Sequence, residues 1–130
     1  MYRYSPERPL PPHPGRGGFE CDGSGGIEIY LPPGLSSLQS KCLGDCLRQH
    51  EDSHIQDFQT RYRNVCKGRR NGERPTFDSP KQNNDSEKKA YDSELNCLQA
   101  KLNGLNGCEE CKDTIESRMK EIPLRRRQYE

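Results

Sequence analysis

Seven cysteines interrupt a chain in which only 28% of residues are hydrophobic and 32% are charged. So little apolar material makes a small core, and small cores are held by cross-links, either disulfides or metal. Cys42, Cys46, Cys66, Cys97, Cys108 and Cys111 all fall where the pattern is helical, and three bridges among them are expected. Cys42 and Cys46 lie on one predicted helix and are not expected to join each other. Partners among Cys66, Cys97 and the Cys108/Cys111 pair are expected instead. An odd count leaves one cysteine over, and Cys21, in a glycine-rich stretch, is expected to be that one. A structural zinc on Cys42, Cys46, Cys108 and Cys111 is the rival reading. It ranks second, because six clustered cysteines fit a small bridged fold.

The length of 130 residues suits one domain with a tail. Residues 1–26 are rich in proline and glycine and read as a flexible arm. Ile27 to Leu31 begins with apolar/polar alternation and reads as a short strand, stopped by Pro32-Pro33-Gly34. A first helix is predicted from Ser36 or Ser37, either a good N-cap, to about Tyr62. Gly44 weakens that helix by up to ~1 kcal/mol without ending it. Residues 67–84 read as a long loop. A second helix is predicted over 86–103, capped by Asp85 or Ser86, with Tyr91, Leu95, Leu98 and Leu102 on one stripe. A third, over 109–121, carries Ile115 and Met119 and stops before Pro123. Residues 123–130 read as a frayed basic tail. The fold class is therefore mainly α: about three helices and a short strand, stapled by disulfides, with the domain body at 27–122.

Within the first helix stands His50-Glu51-Asp52-Ser53-His54, an H-E-x-x-H sequence. The chain has three histidines, and a shuffled chain of this composition would carry about 0.004 such matches. Coincidence is thus a poor account, although two solvated histidines on a polar helix face remain the plain alternative. Residues i and i+4 share a helix face, so both imidazoles can reach one Zn²⁺. Glu51 stands beside them, where a carboxylate can take a proton from water. Leu43, Leu47, His54 and Phe58 follow helical spacing, which puts the histidines at the edge of the buried stripe.

A catalytic zinc needs a third protein ligand. His13 lies in the arm, and the longer H-E-x-x-H-x-x-G-x-x-H pattern fails, with Asp57 and Thr60 at its last two marked positions. The third ligand is therefore expected to be a carboxylate on the second helix. Glu87 and Glu94 are the candidates, seven residues apart and on one face, with Tyr91 between them. Glu94 is favoured as lying mid-helix among the stripe residues. Glu87, in the first predicted turn, has an ordinary use at a helix N-terminus. Tyr91 is a candidate oxyanion donor, although packing between helices is its commoner use.

The order of Cys46-Leu47, His50 to Phe58, Val65-Cys66-Lys67-Gly68, Ala90 to Leu98 and Cys108-Glu109-Glu110-Cys111-Lys112 resembles the small H-E-x-x-H metallopeptidase toxin domains. These stand at the C-termini of bacterial Rhs- and VgrG-type secreted effectors. The resemblance covers roughly residues 27–122. It implies a zincin-like, gluzincin-type site with zinc on His50, His54 and Glu94 and with Glu51 as base. It also implies zinc-dependent cleavage of a protein or peptide substrate, an antibacterial role, a cognate immunity protein, and delivery into a target cell by type VI or related secretion.

The net charge of +1 creates no global field for nucleic acid or membranes. The basic runs Lys67-Gly68-Arg69-Arg70 and Arg125-Arg126-Arg127 read as solvated surface. No apolar run approaches membrane-spanning length, and residues 1–20 lack the apolar segment of a cleavable signal. Neither membrane insertion nor nucleic acid is expected, and the chain is expected to be a monomer. The cysteines favour an oxidising compartment, the periplasm of a target cell. The alternative function is a non-catalytic, disulfide-rich interaction domain with a structural or vestigial zinc.

Overall fold

The computed structural model describes residues 3–4, 18–62, 64–77, 79–104 and 109–130. It is mainly helical, as expected. In chain order the elements are β1 (Arg3–Tyr4), β2 (Gly18–Cys21), β3 (Ile27–Tyr30), α1 (Ser37–Arg61), β4 (Pro75–Thr76), α2 (Pro80–Asn103) and α3 (Lys112–Arg126). Short 3₁₀ turns at Glu109–Cys111 and Arg127–Tyr129 flank α3. Among the described residues no helix is long and apolar enough to cross a membrane.

The first helix begins where its cap predicts. Ser36 Oγ accepts from the Gln39 backbone N–H at 3.1 Å, and Gln39 Oε1 accepts from the Ser36 N–H at 3.0 Å. This reciprocal capping box satisfies two backbone donors that helix geometry leaves free. One face of α1 packs on α2 and α3. The core there is Cys42, Leu43, Cys46, Leu47, Tyr91, Leu98, Cys111, Ile115 and Ile122.

Three expectations about element ends are corrected. The second helix starts at Pro80 rather than 86, because Ser79 caps it by accepting from the Gln82 N–H at 3.2 Å, and Pro80 suits its first position. The third helix does not stop before Pro123 but runs through it to Arg126, and a 3₁₀ turn follows at Arg127–Tyr129. Proline costs a helical hydrogen bond there. Burial of Ile122 and the Arg126–Asp92 contact at 3.0 Å bind the last turn to α2 and offset that loss. Part of the arm is ordered as a hairpin. β2 and β3 pair antiparallel, with Phe19 opposite Ile29 and Cys21 opposite Ile27. Asp22 Oδ1 closes the turn by accepting from the Ser24 and Gly26 N–H groups, and Gly23 and Gly25 supply its positive φ angles. Further back, Arg3–Tyr4 pairs with Pro75–Thr76. The rest of the arm, with His13, lies outside the described residues.

Disulfides join Cys21 to Cys66, Cys42 to Cys111 and Cys46 to Cys97. The two α1 cysteines reach different partners, as expected, and the four-cysteine zinc reading falls because three of its four members are bridged. Cys108 lies outside the described residues. The expectation for Cys21 was wrong: it is fully buried and ties the hairpin to the loop after α1. Each bridge closes a long loop and restricts the unfolded chain. The Cys46–Cys97 bridge fastens α1 to α2 one turn before His50. Replacing both cysteines by serine is expected to lower stability by about 2–4 kcal/mol. Thermal melts against the parent protein measure this, and an unchanged Tm would contradict it.

Candidate metal centre

Spacing on α1 brings His50 and His54 to one face, with ring centroids 5.2 Å apart. Both are buried. The residue facing them from α2 is Glu87. Its Oε1 lies 3.3 Å from His54 Nε2 and its Oε2 lies 3.6 Å from His50 Nε2. Ligand atoms of His50, His54 and Glu87 all fall within 4.8 Å of one another, so this group could hold a metal ion. Ligands at ~2.0–2.1 Å from a tetrahedral zinc stand about 3.3–3.4 Å apart. The His54–Glu87 separation matches that edge, and the His50–Glu87 separation, made through the other carboxylate oxygen, is longer.

Glu94, favoured from sequence, takes a different place. It is completely buried, and its Oε1 lies 3.0 Å from His50 Nδ1. A carboxylate only accepts, so Nδ1–H donates to Glu94, and Nε2, turned to Glu87, carries the proton that a metal ion would displace. Arg118 of α3 grips the same carboxylate through Nε and through Nη2, the latter at 3.0 Å from Oε1. The His54 side is built alike, with Ser86 Oγ at 2.8 Å from His54 Nδ1. Both imidazoles thus have the outer nitrogen fixed and the inner one presented. Metal-ligating histidines are commonly held this way.

Glu87 rather than Glu94 faces the Nε2 atoms because His50 Nδ1 and Arg118 take up the Glu94 carboxylate. With Pro80 at the first turn, Glu87 is two turns inside α2 rather than at its end. Residues 87, 91 and 94 then share the face turned to α1. Tyr91 stands between the two carboxylates, buried, with its ring edge-on to His50 at 4.6 Å. Arg118 carried no local signal, since only packing of α3 brings it there. Phe19 was likewise hidden in the expected arm, yet its ring lies 5.9 Å from His54 and 5.4 Å from Phe58.

Charges in the cluster hold one another. Burial works against charge on His50, but hydrogen bonds to Glu87 and Glu94 and the nearby Glu51 charge outweigh it and raise its pKa. Burial likewise opposes charge on Glu87. Its contacts with His50 and His54 win, keeping it below the usual carboxylate range. Glu94 is held low against its burial by His50 and Arg118. Glu51 goes the other way: burial lifts its pKa, aided by the Glu87 charge and only partly opposed by His50, His54 and Arg74. Its Oε1 lies 4.0 Å from His50 Nε2, beside the converging group but not part of it. Three carboxylates around two imidazoles make a place that favours a cation.

The cluster forms part of the wall of a cleft of about 860 Å³. Its lining includes the apolar Leu31, Leu35, Leu43 and Leu47, hairpin residues such as Phe19 and Tyr30, and Arg74, Pro75 and Phe77. His50, Glu51, His54, Glu87 and Tyr91 all line it. No family model matches this chain, and neither a curated protein nor a solved structure matches it.

Proposed function

We propose that the chain is a zinc-dependent metallopeptidase. One observation carries the reading: ligand atoms of His50, His54 and Glu87 converge to within 4.8 Å of one another, with Glu51 beside them on a cleft wall. Two histidines and a glutamate, with a fourth position open, form a known catalytic zinc set. A zinc ion held by His50, His54 and Glu87 would supply Lewis acidity, polarising a scissile carbonyl and acidifying water. Glu51 does the proton work. Its pKa, lifted by burial, suits a group that takes a proton from water and returns it to the leaving amine. Glu94, with Arg118 behind it, and Ser86 hold the two imidazoles in register. Tyr91 enters as a positioning residue against His50 rather than as the oxyanion donor. Three disulfides fit an oxidising compartment. The proposed setting is the periplasm of a target cell, reached by secretion as an antibacterial effector and countered in the producer by an immunity protein.

Zinc content tests the site. The wild type is expected to hold about one zinc per chain. His54→Ala and Glu87→Ala are expected to lose it while keeping their helical circular dichroism. Wild-type zinc content and affinity in Glu87→Ala would overturn the ligand set. Hydrolysis of denatured casein by the zinc-loaded protein, abolished by 1,10-phenanthroline, tests the activity.

A further inference from the structure

Three arginines line the cleft: Arg74, Arg118 and Arg125. Two are committed. Arg118 holds Glu94 and Glu121, and Arg125 lies 3.5 Å from Glu121. Arg74 has no ion pair or hydrogen bond among the described residues. It is nevertheless held in place. Its guanidinium carbon lies 5.6 Å from the centre of the Tyr30 ring. Its Nη2 lies only 2.8 Å from where a Cβ on Gly18 would stand, so the missing side chain of Gly18 makes the seat. The ring and the seat belong to the two hairpin strands, and Arg74 immediately precedes β4. The charge reaches Glu51, the proposed base. A half-buried guanidinium whose fork is unused among the described residues offers paired N–H donors to a carboxylate.

We propose that Arg74 determines specificity in this cleft, and that the substrates are peptides bearing a carboxylate near the scissile bond. That carboxylate is an Asp or Glu side chain or a free C-terminus. The inference rests on the peptidase reading and names the substrate class of that same site.

The test uses the zinc-loaded full chain, a peptide library with free C-termini, and the same library with C-termini amidated. Cleavage sites are mapped by mass spectrometry for wild type, Arg74→Ala, Arg74→Lys and a Glu51→Gln control. Wild-type cleavage is expected to be enriched next to carboxylates. Arg74→Ala is expected to lower kcat/KM on those peptides by about 10- to 100-fold, the scale of a charged hydrogen bond, and to spare peptides without them. Arg74→Lys is expected to recover part of the loss. Enrichment surviving amidation assigns the carboxylate to a side chain, and enrichment lost on amidation assigns it to the C-terminus. Unchanged zinc content and Tm show that Arg74→Ala is folded, and if it is not, Arg74→Lys carries the comparison. A cleavage map indifferent to carboxylates, or one that Arg74→Ala leaves unaltered while its pH–rate profile moves, overturns the role of Arg74 alone. No cleavage by the wild type above the Glu51→Gln control overturns the peptidase reading, and this inference with it.

Discussion

Glu51→Gln is expected to keep its fold and its zinc and to lose about 10²- to 10⁴-fold in kcat. The two side chains have nearly the same shape, so packing on α1 is undisturbed. Glu51 is not one of the three residues whose ligand atoms converge, so the ligand set stays whole and the zinc is retained. What disappears is a carboxylate able to accept a proton, and an amide cannot replace it at neutral pH. An effect confined to kcat, with KM little changed, marks an interaction made only in the transition state. Turnover of a casein-derived fluorogenic peptide, with zinc content measured on the same samples, makes the comparison. Hydrolysis at the wild-type rate would remove Glu51 from the mechanism. A domain that uses zinc only to bind a partner would keep its binding in the Gln variant.

The parts of this site that were legible from sequence are those that depend on spacing within one helix. His50 and His54 meet because four residues make about one turn, and Ser36 caps because its hydroxyl and Gln39 are three apart. The choice between Glu87 and Glu94 depended on where α2 begins. The stretch from Pro80 to Asp85 is polar, so apolar periodicity did not reveal it as helix, although Ser79-Pro80 carried the start signal. The hairpin was hidden for a related reason. Asp22-Gly23-Ser24-Gly25-Gly26 has the composition of a flexible linker, and only the pairing of β2 with β3 makes it a turn. Cys21, Gly18 and Phe19 were lost with it. Arg118 reaches Glu94 from another helix, and no short-range pattern encodes that contact.

Removing the Glu94 carboxylate is expected to damage stability and metal affinity by separate routes. In Glu94→Ala the Arg118 guanidinium loses its two bonds in a site where its side chain is only 14% exposed. Breaking a buried pair on one side costs up to about 3–5 kcal/mol, since the desolvated guanidinium loses its buried partner and keeps only the exposed Glu121 carboxylate. For a domain with about 5–15 kcal/mol in hand, that is a large share, and Tm should fall by roughly 10–20 °C. His50 also loses the acceptor that fixes its Nδ1–H, which should weaken zinc binding by about 10- to 100-fold. Adding Arg118→Leu to Glu94→Leu separates the two effects. With both charges gone the buried site no longer holds an unpaired ion, and apolar packing can replace the pair at little cost. Stability should then recover most of the loss, while zinc affinity stays low because His50 is still unanchored. Melts on chelator-treated protein keep metal binding out of the stability measurement, and competition with a chelating dye gives the affinity. A double variant as unstable as the two singles summed would mean that the Glu94–Arg118 pair is not coupled. Wild-type zinc affinity in Glu94→Ala would mean that the carboxylate behind His50 stabilises the helix packing and has no part in presenting Nε2 to the metal.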